Sequence, residues 1–390
     1  MKNEIDRRIG QFQEKLTLRR LDGALLVQKV DLYYLSGTDQ DAQVWVPASG
    51  DPLLMVRKSL ERAKEDSPLS HIVRLQGFSS LPDLISNHGG RPQRIGLELD
   101  ILPTAFYKAY ETFFKGMELV DISPIIRSLR MIKSPYELSC ISRAAEMADG
   151  VYRDVPAMLK EARTELALAA SLERAYRIKG HPGFVRTRGF NRECLYGQVM
   201  AGPSGAVPSN SPGPTGGRGL GPFYSQSAAQ VEIRPHEPIL VDYAANVEGY
   251  ISDQTRIYAL GGLPEDLYRA HQVMRDIQDA LAGMGRPGVS TVELYHVAME
   301  MVKEAHLEQG FMGYPDAVPF VGHGVGLDID EWPIVGRNNP TLLEEGMVMA
   351  LEPKCVFPGQ GAVGVENTFV VTPTGMKRLN RLPDDIILCE

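Results

Sequence analysis

The sequence predicts two successive domains, first an α/β domain and then an α+β domain. Up to about Asp121, short apolar runs alternate with helical segments, which is typical of an α/β domain with a substantially parallel sheet. Beyond that point, longer strand candidates lie between two pairs of predicted helices. Strands in a central sheet with helices packed on one face indicate an α+β domain of the catalytic type. At 390 residues, the chain is long enough for both domains to have full hydrophobic cores.

The first domain is predicted over residues 1–126. Its opening helix, about Met1–Leu21, places apolar residues at three- and four-residue spacing: Ile5, Ile9, Phe12 and Leu16. Further helices are predicted at about Lys58–Asp66, Leu81–Asn87 and Pro103–Lys115. The predicted strands are GALLVQ, YYLSG, VWVP, LLMV, IVRL, IGLEL and ELVDI. Because this stretch has no cluster of ligand-type residues, we expect it to shape a site or an oligomer interface rather than to perform chemistry.

The second domain is predicted over residues 127–390, after a connection at Ser123–Lys133. A helix starts after Ser134, because Ser can cap it, Pro135 fits its first turn and Glu137 can reach back to the cap. The other helices are predicted at about Glu165–Lys179, at Pro264–Ala282 and from the capping box Ser290–Glu293 to before Gly310. The strand candidates between them are CLYGQVMAG, PILVDYA, GYISDQTRIYAL, GMVMALEPK and AVGVENTFVVT.

Composition and charge exclude several classes of protein. A net charge of −8 argues against a general nucleic-acid or anionic-membrane surface. No apolar run approaches the roughly 18 residues of a membrane-spanning helix, and the charged N-terminus does not resemble a signal peptide. The cysteines show neither CxxC nor disulfide spacing, which favours a reduced, cytoplasmic protein; they are Cys140, Cys194, Cys355 and Cys389.

The stretch from Gly202 to Pro222 is rich in glycine and proline. A flexible surface loop is one interpretation. A stretch this long inside a compact domain is also typical of a lid or binding loop. Its position shortly before the strand that contains Asp242 favours a loop at the mouth of a site. It contains no GxxxxGK[ST] or GxGxxG motif after a strand, so a phosphate-binding loop is not predicted.

Five residues on strand-like segments give the clearest indication of function: Asp242, Asp253, His323, Glu352 and Glu366. Carboxylates and imidazole suit Mn, Co, Zn or Fe rather than the metals that prefer thiolates. Like charges at close range resist joint ionisation, so four carboxylates need counter-charge, which two divalent ions would supply. Two metals bridged by carboxylates lie roughly 3.5–4 Å apart and lower the pKa of a shared water to near neutrality. This chemistry is that of metal-assisted hydrolysis.

Each residue also has an ordinary interpretation. Asp253 fits a turn, Glu352 before Pro353 fits the end of a strand, and His323 fits a core histidine with satisfied hydrogen bonds. The joint occurrence of all five residues in this order favours the metal site over these separate explanations.

The region from about Arg130 to Val371 resembles the pita-bread metallopeptidase family, which includes methionine aminopeptidase, aminopeptidase P, prolidase and the non-metal creatinase. The segments that carry the resemblance are RMIKSPYELSCISRAA, VDYA, SDQTR, GHGVG, ALEP and VEN. The resemblance implies an α+β pita-bread fold preceded by an α/β creatinase-type domain, a role for the five residues as ligands of two divalent ions, and a homodimer. It also implies that Glu352 exchanges protons with the bridging water, while Thr255 and Arg256 orient ligands.

Two departures from the family pattern concern the substrate. The family's second histidine, in a His-Glu-x-Pro context, corresponds here to Asp330. The histidine expected in the loop before the first metal strand corresponds to Ser209, with Asn210 the next candidate. An anionic Asp330 beside a developing oxyanion is unfavourable unless it is protonated or binds a cationic group. His181, in a Gly-His-Pro-Gly turn, is a candidate to compensate.

Three functions are therefore distinguished. The leading one is a metal-dependent hydrolase that cleaves an amide bond of a small peptide, as Xaa-Pro aminopeptidases and prolidases do. The second keeps the metals but acts on a small non-peptide substrate, by hydrolysis or elimination. The third is a binding protein that keeps the fold without catalysis, which the intact ligand set disfavours. Metal-free chemistry of the creatinase type is disfavoured because Ser209 stands in place of the required histidine.

Overall fold

A computed structural model describes residues 1–192, 194–338 and 340–389. The chain divides into two compact units. The first contains Met1–Arg130 with Arg188–Arg192, and the second contains Met131–Thr187 with Glu193–Glu390. Among the described residues, no helix has both the length and the apolar character needed to cross a membrane.

The first unit is built on a sheet of six strands: β1 Gly23–Leu26, β2 Ala42–Pro47, β3 Leu53–Val56, β4 His71–Arg74, β5 Arg94–Leu97 and β6 Glu118–Asp121. Their order across the sheet is β4-β3-β2-β1-β5-β6. The β1–β5, β3–β4 and β5–β6 pairs are parallel, whereas the β1–β2 and β2–β3 pairs are antiparallel. The sheet is thus mixed, with an antiparallel meander at its centre, rather than simply parallel.

Six helices belong to this part of the chain: α1 Lys2–Leu18, α2 Lys29–Ser36, α3 Leu60–Asp66, α4 Leu81–Gly89, α5 Thr104–Phe113 and α6 Ser123–Met131. The four predicted helices are present with slightly different ends. The predicted apolar stripe of α1 is buried.

One prediction for this part of the chain is wrong, whereas the connection predicted at Ser123–Lys133 contains the boundary between the two units, after Arg130. The segment YYLSG is the end of helix α2, not a strand. The Gln28 side chain caps that helix by accepting the Val30 and Asp31 N–H groups, and Gly37 ends it in the left-handed conformation. Periodicity alone does not distinguish such a short apolar run from a strand. The predicted connection at Ser123–Lys133 is mostly helix α6, which buries one apolar stripe.

The described residues of the second unit form eleven strands: β7 Gly197–Ala201, β8 Ile239–Val247, β9 Tyr250–Leu260, β10 Phe320–Gly324, β11 Glu331–Gly336, β12 Val348–Leu351, β13 Lys354–Phe357, β14 Gly361–Gly364, β15 Asn367–Thr372, β16 Gly375–Arg378 and β17 Ile387–Cys389. These strands form three sheets rather than the single central sheet predicted. Their orders are β17-β9-β8-β7, β11-β10-β12-β15-β16 and β13-β14.

The helices of the second unit are α7 Pro135–Tyr152, α8 Val155–Leu159, α9 Glu165–Ile178, α10 Glu265–Met284 and α11 Thr291–Glu304. The capping boxes predicted at Ser134 and Ser290 are both present. Helix α7 packs on β8 and β9. At its C-terminal end, the Tyr152 hydroxyl donates to the Val241 and Gln254 carbonyls and accepts the Tyr243 N–H, so one side chain ties the helix to both strands.

The glycine-rich stretch is buried at its middle and exposed on either side of that part. It begins with a 3-10 helix, Gly202–Ala206, and residues 214–217 are buried. The Thr215 hydroxyl donates to Gln198 Oε1 at 3.4 Å, and Gln198 is paired with Asp242 in the β7–β8 ladder. The buried middle of this loop therefore lies beside the strand that contains the first predicted ligand.

His271 on α10 makes the stability of the protein dependent on pH. The ring is buried, its Nε2 donates to the Asp384 carbonyl at 2.7 Å, and burial lowers its pKa to about 4. The unfolded chain binds a proton below about pH 6.5, whereas the folded chain does not until about pH 4. We therefore expect the His271 contribution to be complete above pH 6.5 and to be lost as the pH falls toward 4, by up to about 1.4 kcal/mol per pH unit.

Urea unfolding at several pH values between 4.5 and 7.5 measures this contribution. His271→Gln keeps a donor for the Asp384 carbonyl but does not titrate, so its stability should vary less steeply with pH. The matched control is His296→Gln, which changes an exposed histidine on α11 and should behave like the wild type. The same pH dependence in His271→Gln and wild type would contradict the assignment.

Candidate metal centre

The β8–β9 hairpin brings two of the predicted ligands onto one face. In its antiparallel ladder, Asp242 is paired with Thr255, and Ala244 is paired with Asp253. Paired residues point to the same face, as do residues two apart along a strand. Asp242, Asp253 and Thr255 therefore share a face, and the two carboxylates are diagonal neighbours.

Glu352 and Glu366 lie close together at one end of the paired strands β12 and β15. Leu351 of β12 is paired with Asn367 of β15, so Glu352 follows and Glu366 precedes this pair. The sequence predicts both glutamates on strand-like segments. In the structure each lies between two strands, Glu352 between β12 and β13 and Glu366 between β14 and β15. Glu366 also forms an isolated antiparallel bridge with Thr255, with N–H to carbonyl distances of 3.2 and 3.4 Å, which joins the β12–β15 pair to the β8–β9 hairpin.

His323 is delivered by β10, which pairs with β12. It is opposite Ala350, and the Glu352 N–H donates to the Val321 carbonyl at 3.0 Å, which continues the ladder. Because Ala350 and Glu352 are two apart, His323 and Glu352 point to the same face. The glycines on both sides of His323 allow close backbone approach: a Cβ at Gly322 or Gly324 would lie 2.6 or 2.2 Å from a carbonyl oxygen of the neighbouring strand.

Asp253, His323 and Glu366 form a buried group whose ligand atoms lie within 4.8 Å of one another. Glu352 Oε1 lies 3.4 Å from His323 Nε2. The His323 Nδ1 faces the Gly324 carbonyl at 3.2 Å and Asp330 Oδ1 at 3.7 Å. The carbonyl can only accept, so Nδ1 donates and Nε2 is the nitrogen directed at the acidic group.

The remaining predicted ligand, Asp242, is bound to a residue that the sequence analysis missed. Lys354 is 1% exposed, and its Nζ lies 3.3 Å from Asp242 Oδ2, 2.8 Å from Glu352 Oε2 and 2.7 Å from Glu366 Oε2. The signal was present in the sequence: in an extended segment, Lys354 points to the same side as Glu352, two residues earlier.

Burial and the closeness of several carboxylates shift the pKa values of the residues in the centre. Burial, together with the other carboxylates, raises the pKa of Asp253 well above its usual range. Burial also raises the pKa of Asp242 to about 6, although the Lys354 ammonium opposes this change. Burial by itself would lower the pKa of Lys354, but the carboxylates around it raise that pKa further above 10.5. The carboxylates around Lys354 therefore favour its charged form.

Thr255 and Arg256 both make hydrogen bonds to Glu366. The Thr255 hydroxyl donates to Glu366 Oε2 at 2.8 Å. The buried Arg256 guanidinium donates to the Thr255 carbonyl at 2.8 Å and to the Glu366 carbonyl at 3.0 Å, and it pairs with Asp384. One side chain thus fixes the backbone on both sides of the centre.

The three residues proposed for the substrate lie in different surroundings. Asp330 is partly exposed beside the His323 ring. Ser209 Oγ accepts the Ser211 N–H at 3.1 Å within its own loop, and Asn210 is exposed. Over the described part of the chain, no hydrogen bond or ion pair joins Ser209 or His181 to the five predicted ligands.

His181 has a structural explanation. Its Nε2 donates to the Ala244 carbonyl at 3.1 Å, and its Nδ1 accepts the Gly183 N–H at 2.9 Å. The ring packs against Tyr176 and Tyr196, and burial lowers its pKa to about 4. Both nitrogens are thus engaged in the neutral form, in which His181 supports strand β8.

The residues of the imidazole side fit a divalent ion. Two ligands about 2.1 Å from one ion are separated by up to about 4.2 Å, so the Asp253, His323 and Glu366 atoms need only small movements to share one. Their chemistry suits Mn, Co, Zn or Fe. The side formed by Asp242 fits less well, because Lys354 Nζ already contacts the carboxylate oxygens there.

The fold and this acidic centre define the class of metal-dependent hydrolases. The model of metallopeptidase family M24 matches residues 139–373, and that of the creatinase/prolidase N-terminal domain matches residues 8–132. The chain belongs to metallopeptidase family M24, whose members use divalent metals. The predicted pita-bread fold with a creatinase-type N-terminal domain is confirmed.

Relatives match over nearly the whole chain. An Xaa-Pro dipeptidase of Pyrococcus furiosus is 27% identical over 373 residues, which are 94% of this chain and 95% of that protein. One of Pyrococcus horikoshii is 26% identical over 390 residues, with 99% of each chain covered. The structure of an Xaa-Pro dipeptidase from Bacillus anthracis has the same fold, with a TM-score of 0.83 at 22% identity, over 98% of this chain and 99% of that one.

Removing the Thr255 hydroxyl tests its positioning role. Thr255→Val keeps the shape of the side chain but no longer holds Glu366 Oε2. We expect divalent-ion affinity to fall roughly 10- to 100-fold, with a loss of about 1 kcal/mol in the free energy of unfolding. Titration of the chelator-treated protein with Mn²⁺, in competition with a metal indicator, measures the affinity.

The matched control is Thr291→Val, another buried threonine, whose Oγ1 accepts the Thr341 N–H. It should lose similar stability and keep the ion affinity of the wild type. Equal affinity in Thr255→Val and Thr291→Val would show that Thr255 does not orient a ligand.

Proposed function

We propose that this protein is a metal-dependent peptidase that cleaves the Xaa-Pro bond of small peptides. The observation that carries this proposal is the buried group of Asp253, His323 and Glu366, with Glu352 at its edge. Membership of family M24 supports it, as do the names of the relatives, which are Xaa-Pro dipeptidases.

Under this proposal, each residue of the centre would have a separate role in metal binding, proton transfer or positioning. Asp253, His323 and Glu366 would hold a divalent ion, chosen from Mn, Co, Zn and Fe, which supplies a Lewis acid and an activated water when bound. Glu352 would hold and return a proton at Oε1, the oxygen that faces His323. Thr255 and Arg256 would keep Glu366 in position. The two-ion occupancy expected from the sequence would also need the oxygens of Asp242 and Glu366 that Lys354 contacts.

We also propose the two-domain division at residues 126 and 127, a cytoplasmic location and a homodimer. The separate family matches to the two parts of the chain support the division. The free thiols of Cys140, Cys355 and Cys389 agree with a reducing compartment. The dimer is supported by the family resemblance, and a monomer in sedimentation velocity at micromolar concentration would contradict it.

Asp253→Asn tests the peptidase directly. The change removes a charged ligand while keeping the size of the side chain, so we expect weaker metal binding and at least a 100-fold loss of kcat/KM. The assay measures amino acid release from Leu-Pro, with Leu-Ala as the comparison substrate, after reconstitution with Mn²⁺. Asp276→Asn, which changes an exposed aspartate on α10, is the matched control and should keep full activity.

The two readouts separate the parts of the proposal. Bound metal without cleavage of any Xaa-Pro peptide would reject the peptidase and keep the metal site. Equal metal content and activity in Asp253→Asn and Asp276→Asn would reject the ligand assignment itself.

A second function is favoured by one observation, the carboxylate of Asp330 beside His323. Under this alternative, the protein is a hydrolase or lyase for a small non-peptide molecule, and Asp330 pairs with a cationic group of that substrate. Ser209 would then lie in a loop that no longer supplies a histidine to a peptide.

Asp330→Asn distinguishes this alternative. A charge-assisted contact contributes about 1.5–3 kcal/mol, so its loss should reduce kcat/KM roughly 10- to 100-fold for amides with an ammonium or guanidinium group. Neutral amides of the same shape should be processed at the wild-type rate. The alternative fails if the two sets of amides respond to Asp330→Asn in the same way.

A further inference from the structure

The acidic centre has two sides, and each glutamate divides its oxygens between them. Glu352 Oε2 and Glu366 Oε2 face the Lys354 ammonium at 2.8 and 2.7 Å. Their other oxygens face His323 Nε2, at 3.4 Å for Glu352 Oε1 and 3.9 Å for Glu366 Oε1. Asp242 Oδ2 belongs to the ammonium side, 3.3 Å from Nζ, whereas Asp253 belongs to the imidazole side.

The backbone fixes Lys354 on the ammonium side. Lys354 begins β13 and is paired with Gly364 of β14. This pair lies two residues beyond Glu352 and two before Glu366, so all three side chains point to the same face. Gly364 leaves room for the lysine, since a Cβ there would lie 2.8 Å from Lys354 Cγ.

We infer that Lys354 Nζ occupies the position of one of two cations, so that the centre binds a single divalent ion, on the side of Asp253, His323 and Glu366. This inference rests on the proposed metal-dependent function, which it restricts to one ion. Lys354 then acts as a positioning residue, because it holds Asp242 and one oxygen of each glutamate.

The charge of the Lys354 ammonium and its burial both favour the binding of one divalent ion rather than two. A divalent ion bound to the oxygens of Asp242 and Glu366 that face Nζ would lie in contact with the ammonium, and the two charges would repel strongly in this buried place. Lys354 is 1% exposed, so its charge cannot be relieved by solvent at that position. One divalent ion and one ammonium formally leave the four carboxylates close to balanced.

The experiment counts ions per chain. The full-length protein is treated with a chelator, reconstituted with excess Mn²⁺, freed of loose metal by gel filtration and analysed by mass spectrometry for metal content. We expect about one ion per chain in the wild type and about two in Lys354→Ala, in which Asp242 is free to bind metal. Electron paramagnetic resonance should show isolated Mn²⁺ in the wild type and a spin-coupled pair in Lys354→Ala.

A matched control separates the effect of Lys354 from the general effect of removing a buried lysine, and a second variant covers a failure of Lys354→Ala to fold. Lys133→Ala removes another buried lysine, which pairs with Glu331 at 3.0 Å, and should keep the wild-type ion count. If Lys354→Ala does not fold, Lys354→Ser provides a small polar replacement, and the wild-type count alone remains decisive.

Each result supports or overturns the inference. Two ions in the wild type would overturn it and leave the proposed metal-dependent function intact. One ion in both the wild type and the Lys354 variants would show that the lysine does not exclude a second ion. No ion in any of these proteins would overturn both the inference and the proposed function.

Discussion

Burying several carboxylates together requires positive charge among them, and this constraint governs the centre of the second unit. Asp253, Glu352 and Glu366 are buried close together, with the partly exposed Asp242 beside them, where water screens their repulsion poorly. Lys354 supplies one cation from within the chain. Burial, together with the repulsion among the carboxylates, raises the pKa of Asp242 and of Asp253 even though this ammonium opposes the change.

The ladders around the centre explain how distant parts of the chain meet there. The β8–β9 hairpin is local, but Glu366 reaches it through the isolated bridge to Thr255. Arg256 then donates to carbonyls on both sides of that bridge. These buried hydrogen bonds hold the backbone that carries the carboxylates. A metal centre requires this kind of preorganisation.

The family and the individual site contribute different information. Membership of family M24 gives the fold and the use of divalent metals. The structure of this chain adds the surroundings of the acidic centre: Asp330 beside the imidazole, Ser209 in the loop and Lys354 among the carboxylates. Specificity comes from such contacts rather than from the fold.

The sequence by itself determined the features that depend on neighbouring residues. The capping boxes at Ser134 and Ser290, the buried stripe of α1 and the metal-ligand motifs are all local patterns. It did not determine that YYLSG is helical, that Ser123–Lys133 is mostly α6, or that the strands of the second unit form three sheets. Periodicity alone does not distinguish a short apolar helix from a strand, and the arrangement of strands into sheets depends on tertiary packing. The position of Lys354 is the clearest example: its alternation with Glu352 is visible in the sequence, but only the pairing of β13 with β14 and of β12 with β15 brings its ammonium to Asp242 and Glu366.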